Sequence, residues 1–305
     1  MAEFSYSLAK FIPYQDAADC ARVRAITKER FTKHKNPDFN IRIIEDIAEL
    51  NLAFALDIVG RIRQARESGK KLVAIFPVGP MGQYPIAARI INTMGLPMDH
   101  LHSFNMDEYA DQDGNTAPAD WPGSFQRAMM ASFYGLIDRK LRPPAKQIHF
   151  PATRNIKSYG RMIADLGGAD VVYGGVGWCG HIAFWEAHLG LEFGEDLAAY
   201  KKAGPRIVEL HPMTIMQNAL HSFGGDWSWV PPKAATIGPA QIVSARHRSF
   251  WLDGAFGKDS WQRFIARLGA HGKVNTLVPA TILQTCRTDY TVLGAVAENV
   301  EIHMA

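Results

Sequence analysis

Cysteine is scarce in this chain of 305 residues, which contains only Cys20, Cys179 and Cys286. An odd number of widely spaced cysteines argues against a framework of disulfides. An excess of one charge is also missing, because 33 Lys and Arg residues stand against 30 Asp and Glu residues, for a net charge of +3. No block of basic residues stands out, and this argues against nucleic acid as a partner.

Long apolar runs are absent as well. The longest fall well short of the roughly 18 residues needed to span a bilayer, and the first residues, MAEFSYSLAKF, lack the apolar core and cleavage site of a signal peptide. We therefore expect a cytoplasmic protein with no membrane partner. Hydrophobic residues make up 47% of the chain and charged residues 21%, which is typical of a globular protein with a full core.

Strand and helix patterns alternate along the chain, with no internal repeat and no linker in its middle. Residues 40–44 and 71–76 are predicted strands, and a long amphipathic helix is predicted between them, from Asp46 to Arg66. This alternation predicts an α/β fold class, a single doubly wound domain with a mainly parallel central sheet flanked by helices. Such a domain is Rossmann-like in its architecture.

The first part of the chain shows a different pattern. Residues 1–39 are predicted to be an N-terminal extension packed on the domain that follows, which we place at residues 40–305. Asp16 is a candidate N-cap for a helix running towards Phe31. The polar run Lys33–Pro37 would then end this helix.

The most informative segment is residues 169–186, ADVVYGGVGWCGHIAFWE. A short apolar strand leads into a glycine-rich loop, and the loop is followed by His181 and Glu186. Glycine lets a ligand approach the main chain closely, and ligands of open α/β sheets bind beyond the carboxyl ends of strands. Taken alone, the pattern also fits an ordinary turn between a strand and a helix. The four glycines of the loop are Gly174, Gly175, Gly177 and Gly180.

Two other strand ends carry candidate ligand-binding residues. Residues 77–84, PVGPMGQY, form a Gly/Pro loop before a helix, but Pro80 removes a backbone N–H and the loop has no Ser or Thr, so it is a weak phosphate site. The strand predicted at residues 102–109 ends in Asp107 and Glu108. Neighbours in a strand point to opposite faces, so only one of these carboxylates is expected to face a ligand. Solvated acids at a strand end are the alternative.

The run FNMDEY at residues 104–109, together with the glycine loop and its His-Ile-Ala-Phe-x-Glu continuation, resembles the two signature motifs of glucosamine-6-phosphate deaminases (isomerases). Residues 273–284 resemble the C-terminal region of that family, and the resemblance spans about residues 40–296. It implies the family's fold and an aldose–ketose proton transfer with release of ammonia. It also implies that no metal or organic cofactor is used and that the protein forms a homo-oligomer.

The resemblance also implies roles for individual residues. Asp107 matches the base that moves a proton between C2 and C1 of the open-chain sugar, and burial would raise its pKa towards neutral. His181 matches the residue that helps to open the sugar ring, and Glu186 matches the acid that orients and charges this histidine. We expect a sugar or sugar-phosphate substrate to be bound by Gly79, Gly82, Glu108, Gly175, Gly177, Gly180 and Lys258.

Several positions depart from the family pattern. Cys179 stands where the family has an aspartate, the third member of the ring-opening relay, so we count it among the catalytic positions. Trp178 and Trp185 replace asparagines and are expected to make the rim of the site larger and more apolar. On the phosphate side, Ile215 aligns with an arginine, and the Gly/Pro loop replaces a hydroxyl-rich one. The phosphate and ring-opening sites are therefore predicted to be altered.

The residues leave other functions open. Cys179 and His181 could form a nucleophile and a base, and His181, Glu186 and His188 could hold a metal. The chain could also be a catalytically weak or inactive relative that binds a sugar. A hydrolase similar to 6-phosphogluconolactonase is a further alternative, although lactonases of this fold typically have Arg where this chain has Tyr109.

Overall fold

The computed structural model describes residues 6–302 and 304. The strands are β1 (Phe39–Ile44), β2 (Leu72–Phe76), β3 (Leu101–Asn105), β4 (Asp107–Ala110), β5 (Ile148–His149), β6 (Val171–Gly174), β7 (Arg206–Glu209), β8 (Lys233–Thr236), β9 (His247–Leu252), β10 (Ala255–Phe256), β11 (Asp259–Ser260) and β12 (Thr288–Leu293). The α-helices are α1 (Ala17–Arg24), α2 (Lys28–Phe31), α3 (Ile47–Glu67), α4 (Gln83–Met94), α5 (Phe125–Ser132), α6 (Ile156–Asp165), α7 (Leu197–Tyr200), α8 (Pro212–Ser222), α9 (Pro239–Ser244), α10 (Arg263–His271) and α11 (Gly294–Ala297). Short 3-10 helices lie at Tyr134–Leu136, Ala145–Gln147, Ala187–Glu192, Trp227–Trp229 and Pro279–Thr285.

Seven strands form the central sheet in the order β1-β12-β9-β6-β2-β3-β5, and every neighbouring pair is parallel. Strand β2 is buried at all of its positions, so both faces of the sheet are covered. The predicted doubly wound α/β fold is therefore confirmed. From β2 the chain continues to β3 on one side and later returns to β6 on the other. The loops after β2 and β6 diverge, and ligands bind at such a point in folds of this type.

Helix α3 shows how the sequence pattern becomes a packed element. It begins after Asp46, as predicted, because the Asp46 carboxylate accepts the backbone N–H groups of Ala48 and Glu49 at 2.8 and 3.0 Å. Apolar residues at helical spacing, including Phe54 and Ile58, are buried on one face of the helix. Among the described residues, no helix is both long enough and apolar enough to cross a membrane.

The segment before β1 packs on α10. Asp19 Oδ2 accepts the hydroxyl of the buried Tyr14 at 2.6 Å and the backbone N–H of Lys273 at 2.9 Å. The predicted continuous helix in this segment is wrong, because α1 and α2 are separated by a turn. The carbonyl of Ile26 in that turn accepts the buried Arg267 guanidinium of α10 at 2.7 Å, so it does not continue a helix.

The strand predicted at residues 102–109 is divided at Met106. Before it, β3 belongs to the central sheet, and after it, β4 joins β8 and β7 in a separate antiparallel sheet of three strands. Met106 connects the two sheets, because its N–H donates to Phe76 at 3.0 Å and its carbonyl accepts the N–H of Ile237 at 2.9 Å. This change of sheet places Asp107 beyond the carboxyl end of β3.

Candidate active site

A cavity of about 500 Å³ lies where the loops after β2 and β6 diverge. Its walls come from the segments that follow β2, β3, β6 and β9, which meet at one edge of the parallel sheet, and from helix α8. The acidic and histidine residues that line it are Asp107, His181, His221 and Asp253.

Asp107 is the buried carboxylate at one end of this cavity. Its position is fixed by β4, where it pairs with Thr236 of β8, and the residue is only 5% exposed. Its Oδ1 atom has no hydrogen-bond partner among the described residues. Burial raises the pKa of Asp107 to about 8, with a smaller contribution from Glu108, against the opposing charge of His181. A carboxylate with this pKa can take and return a proton near neutral pH.

Glu108 does not reach the cavity, contrary to its predicted role in binding the substrate. Its side chain points to the opposite face of β4 and lies at the N-terminus of α5, where a carboxylate is favourable. Both oxygens are occupied at 2.9 Å, because they accept the backbone N–H groups of Tyr109, Phe125 and Gln126 and the hydroxyl of Ser124. Glu108 therefore stabilises the fold next to Asp107.

His181 is placed by the glycine loop after β6. A Cβ atom on Gly177 would lie 2.0 Å from His181 Nε2, so a glycine is required there for the ring to keep its place. Gly180, immediately before the histidine, has a φ of +87°, which also favours glycine. The loop is attached to α8, because the N–H of Trp178 donates to Gln217 Oε1 at 2.7 Å.

Behind His181, three side chains meet at one buried oxygen atom. Glu186 Oε2 accepts the thiol of Cys179 and the hydroxyl of Thr214, each at 2.9 Å, and lies 3.3 Å from His181 Nδ1. The Thr214 oxygen is also 2.9 Å from His181 Nδ1. These contacts orient the ring so that Nδ1 faces the buried acid and Nε2 faces the glycine loop at the cavity wall.

His181 and Glu186 each stabilise the charged form of the other. Burial alone would lower the pKa of His181, but the charge of Glu186 raises it well above its usual range. Burial acts in the opposite sense on Glu186, whose pKa is nevertheless lowered by His181. The pair is thus an imidazolium and a carboxylate, and the imidazolium can donate a proton from Nε2.

Thr214 is the member of this group that the sequence analysis missed. It lies 28 residues after Glu186, on helix α8, and its side chain is completely buried. A threonine in a helix has no recognisable motif, so only the fold reveals that it bridges His181 and Glu186. The neighbouring Ile215 does not line the cavity, and α8 instead contributes Gln217 and other polar side chains to its wall.

Cys179 is a protonated thiol in this environment. Burial and the charge of Glu186 raise its pKa, so a thiolate nucleophile is disfavoured. Cys179, His181 and Glu186 are the one group within the described residues whose ligand atoms are close enough to hold a metal ion, while His188 stacks on His211 elsewhere. A metal would have to displace the thiol proton and the hydrogen bonds of this group.

The remaining predicted site residues divide between cavity and surroundings. Gly79, Gly175 and Gly177 line the cavity, whereas Gly82 and Gly180 support its loops from behind. Lys258, expected to bind the sugar or sugar-phosphate substrate, is exposed on the hairpin of β10 and β11 and lines a separate pocket with Glu298 and Arg263.

One of the two tryptophans expected at the rim, Trp185, is arranged differently from the prediction. Trp185 does not widen the rim, because it is fully buried against Tyr200 and under the Arg206 guanidinium, 4.5 Å from its ring centre. The tryptophans among the lining residues are Trp251 and Trp261, and the ring of Trp251 is buried, stacks on Phe54 and lies under the Arg42 guanidinium. Both of these tryptophans lie in the C-terminal half of the chain, outside the motifs that pointed to the site.

Comparison with known proteins gives a consistent result, although no protein-family model matches the chain. A glucosamine-6-phosphate deaminase of Caenorhabditis elegans is 34% identical over 220 residues, which cover 70% of this chain and 76% of the relative. Glucosamine-6-phosphate deaminase 2 of Xenopus tropicalis is 30% identical over 220 residues, covering 70% and 74%.

Solved structures with the same architecture include both enzyme types considered above. A monomeric glucosamine-6-phosphate deaminase matches with a TM-score of 0.70 at 22% identity, over 84% of this chain and 98% of that one. A 6-phosphogluconolactonase from Trypanosoma cruzi matches with a TM-score of 0.61 at 17% identity, over 89% and 98%. At these identities the two structures support the fold alone.

Proposed function

The chain belongs to the glucosamine-6-phosphate deaminase family, and we propose that it is an amino-sugar deaminase/isomerase. The reaction converts a 2-amino aldose and water into a ketose and ammonia. A base removes the proton from C2 of the open-chain sugar, and the electron pair of that C–H bond forms a C1–C2 double bond. At the same time the C1=O π bond breaks, and O1 takes up a proton from solvent. The proton is then returned to C1, and water replaces the nitrogen at C2.

Asp107 is the base in this proposal. The observation that carries it is a buried carboxylate with an unpartnered oxygen and a pKa raised to about 8, which lines the same cavity as a charged histidine. Burial makes the ionised form reactive, and His181 keeps that form accessible near neutral pH. A carboxylate can hold the proton taken from C2 and deliver it to the adjacent carbon without moving.

His181 opens the sugar ring. Its Nε2 donates a proton to the ring oxygen as the bond between that oxygen and C1 breaks, while the C1 hydroxyl loses its proton to solvent and forms the C1=O bond of the open-chain aldehyde. Glu186 stabilises the imidazolium before this transfer, and Thr214 and Cys179 hold the acceptor oxygen of Glu186 in place. The relay thus uses one carboxylate, with a thiol where the family pattern has a second one.

The test is ammonia release and ketose formation by the full-length protein, measured for glucosamine, galactosamine and mannosamine and for their 6-phosphates. Turnover of at least one of these sugars is expected, and it should be lost in Asp107→Asn. If no amino sugar turns over while one of them raises the melting temperature, the chain is a sugar-binding relative and the proposal is wrong. Hydrolysis of 6-phosphogluconolactone without ammonia release from any amino sugar would instead support the lactonase alternative.

A further inference from the structure

The end of the cavity remote from Asp107 is short of positive charge. None of the lining residues, all of which are described, is Lys or Arg. The imidazole at this end is that of His221, which lies 5.4 Å from the Trp261 ring, and burial lowers its pKa, so it is neutral near pH 7. A phosphate dianion placed here would lose its hydration without gaining a cationic partner.

Asp253 lines this end of the cavity. It follows β9, which is three strand positions from β3 and therefore from Asp107. Among the described residues, no side chain pairs with or donates a hydrogen bond to the Asp253 carboxylate, and burial raises its pKa to about 6. Above that pH the group is a carboxylate on the cavity wall, which interacts with its own backbone N–H and can also accept hydrogen bonds from a ligand.

The loop that carries Asp253 is held firmly. Gln262 Oε1 accepts the N–H of Gly254 at 2.8 Å, and Gln262 Nε2 donates to the Val176 carbonyl at 2.5 Å, so the buried Gln262 ties this loop to the glycine loop. Trp261 packs so closely on Gly254 that a Cβ atom there would lie 2.5 Å from the indole. The position of Asp253 is thus fixed before any ligand binds.

The other walls at this end suit an uncharged sugar. Trp261 offers a half-buried indole ring to the C–H face of a sugar, and elsewhere in the lining the loop before α4 contributes Val78, Pro80 and Met81. No hydroxyl side chain is present in that loop, and the Gln83 amide is already bonded to the Pro80 carbonyl at 2.7 Å.

We propose that the cavity takes an amino sugar without a phosphate, and that Asp253 accepts hydrogen bonds from the hydroxyl groups at the end of the sugar remote from C1. This inference rests on the proposed function for the identity of the sugar. It assigns a specificity-determining role to Asp253, because an anionic substituent at that end would meet a carboxylate and no cation.

The experiment compares kcat/KM for free glucosamine and glucosamine 6-phosphate in the wild type, Asp253→Asn and Asp259→Asn. In the wild type, kcat/KM should be at least about tenfold higher for the free sugar than for the 6-phosphate. This is the size of effect expected for one hydrogen bond to a charged group. Asp253→Asn should raise KM for the free sugar about tenfold with little change in kcat, and should narrow the preference. Asp259→Asn removes the same charge from the exposed hairpin and should leave both values unchanged.

A binding measurement separates this inference from the proposed function. Calorimetry with 2-amino-2-deoxyglucitol and its 6-phosphate, which are open-chain analogues that do not react, reports the preference without turnover. Tighter binding of the phosphorylated analogue by the wild type, or an unchanged preference in Asp253→Asn, would overturn the inference. If no amino sugar releases ammonia and the uncharged analogue still binds more tightly, the proposed function fails and the inference stands.

Discussion

The two ends of the cavity are built from the same kind of element, a loop after a parallel strand. They differ in whether protein groups bind the charged side chains. At the reacting end, Glu186 receives two hydrogen bonds and faces the His181 imidazolium. At the remote end, no side chain among the described residues pairs with Asp253, and no lining residue is a Lys or an Arg. Glu186 is bound by protein groups and acts on the substrate through His181, whereas Asp253 faces the cavity itself and is available to contact a ligand directly.

The difference between the two ends of the cavity also explains why family membership does not specify the substrate. Proton transfer depends on distances fixed within one buried group, so replacing Cys179 or Thr214 affects its neighbours directly. Recognition of the remote end of a sugar depends on side chains that face the cavity and contact little else. Those side chains can change their charge without disturbing the relay.

The largest effect on activity is expected for Asp107→Asn, which removes the proposed base while the side chain keeps nearly the same size. Turnover of the preferred amino sugar should fall about 10³-fold, within the range found for positioned acid–base groups. Asp113→Asn, in the exposed loop that follows β4, is the matched control and should keep full activity. If Asp107→Asn and Asp113→Asn are equally active, Asp107 is not the base.

Asp107→Asn should also change how the free energy of unfolding depends on pH. Folded Asp107 keeps its proton up to about pH 8, whereas an aspartate of the unfolded chain loses it near pH 4. Between these values the folded state binds one more proton, so this group lowers the free energy of unfolding as pH rises. Asp107→Asn should lose less stability between pH 5 and 8 than the wild type does, as measured by urea unfolding. A steeper loss would contradict the raised pKa.

Gly177→Ala tests whether the loop positions His181. The added Cβ would lie 2.0 Å from Nε2, so the ring must move, and kcat should fall about 10²-fold, as expected for a displaced acid–base group. Gly175→Ala in the same loop is the control, because its Cβ would lie 3.4 Å from the nearest atom, the Gly79 carbonyl oxygen. If both variants lose the same activity, the loop and not the histidine contact is responsible.

Thr214→Val asks whether the missed residue belongs to the relay. The variant keeps the shape of the side chain but removes one donor to Glu186 Oε2, which should cost about 1–3 kcal/mol of stability. It should also lower kcat roughly tenfold, because the His181–Glu186 pair is held less firmly. Thr214→Ser should restore kcat, and a failure of this rescue would show that Thr214 acts only through packing.

The smallest effect is expected for Cys179→Ser. A hydroxyl can replace the thiol as donor to Glu186, so kcat and the melting temperature should stay close to those of the wild type. A covalent sugar adduct on Cys179, seen by mass spectrometry, together with loss of activity in the serine variant, would make this residue a nucleophile.

Much of the fold could be predicted because its signals are local. The buried β2, the Asp46-capped α3 and the glycine loop each carry a pattern of burial or capping that neighbouring residues determine. The division of the strand at Met106 could not be predicted, since it depends on hydrogen bonds to Phe76 and Ile237, far away in sequence.

In the site, too, the residues that lie in local motifs could be predicted and the others could not. Asp107 and His181 lie in motifs, and the structure brings both to one cavity. Thr214 and Asp253 lie on α8 and after β9 without a motif, so only the assembled sheet edge shows their position. The resemblance to the family predicts a substrate-binding role for Lys258, but the hairpin that carries Lys258 directs it to another pocket. The predicted homo-oligomer stays a prediction.

The pH dependence of kcat/KM for ammonia release from the preferred amino sugar tests the central claim most directly. Asp107 must be ionised to accept the C2 proton, and kcat/KM reports the pKa values of the free enzyme. In the wild type, kcat/KM should therefore rise as the pH passes through about 8, the pKa of Asp107. A profile that is flat between pH 6 and 9, with activity retained in Asp107→Asn, would contradict it.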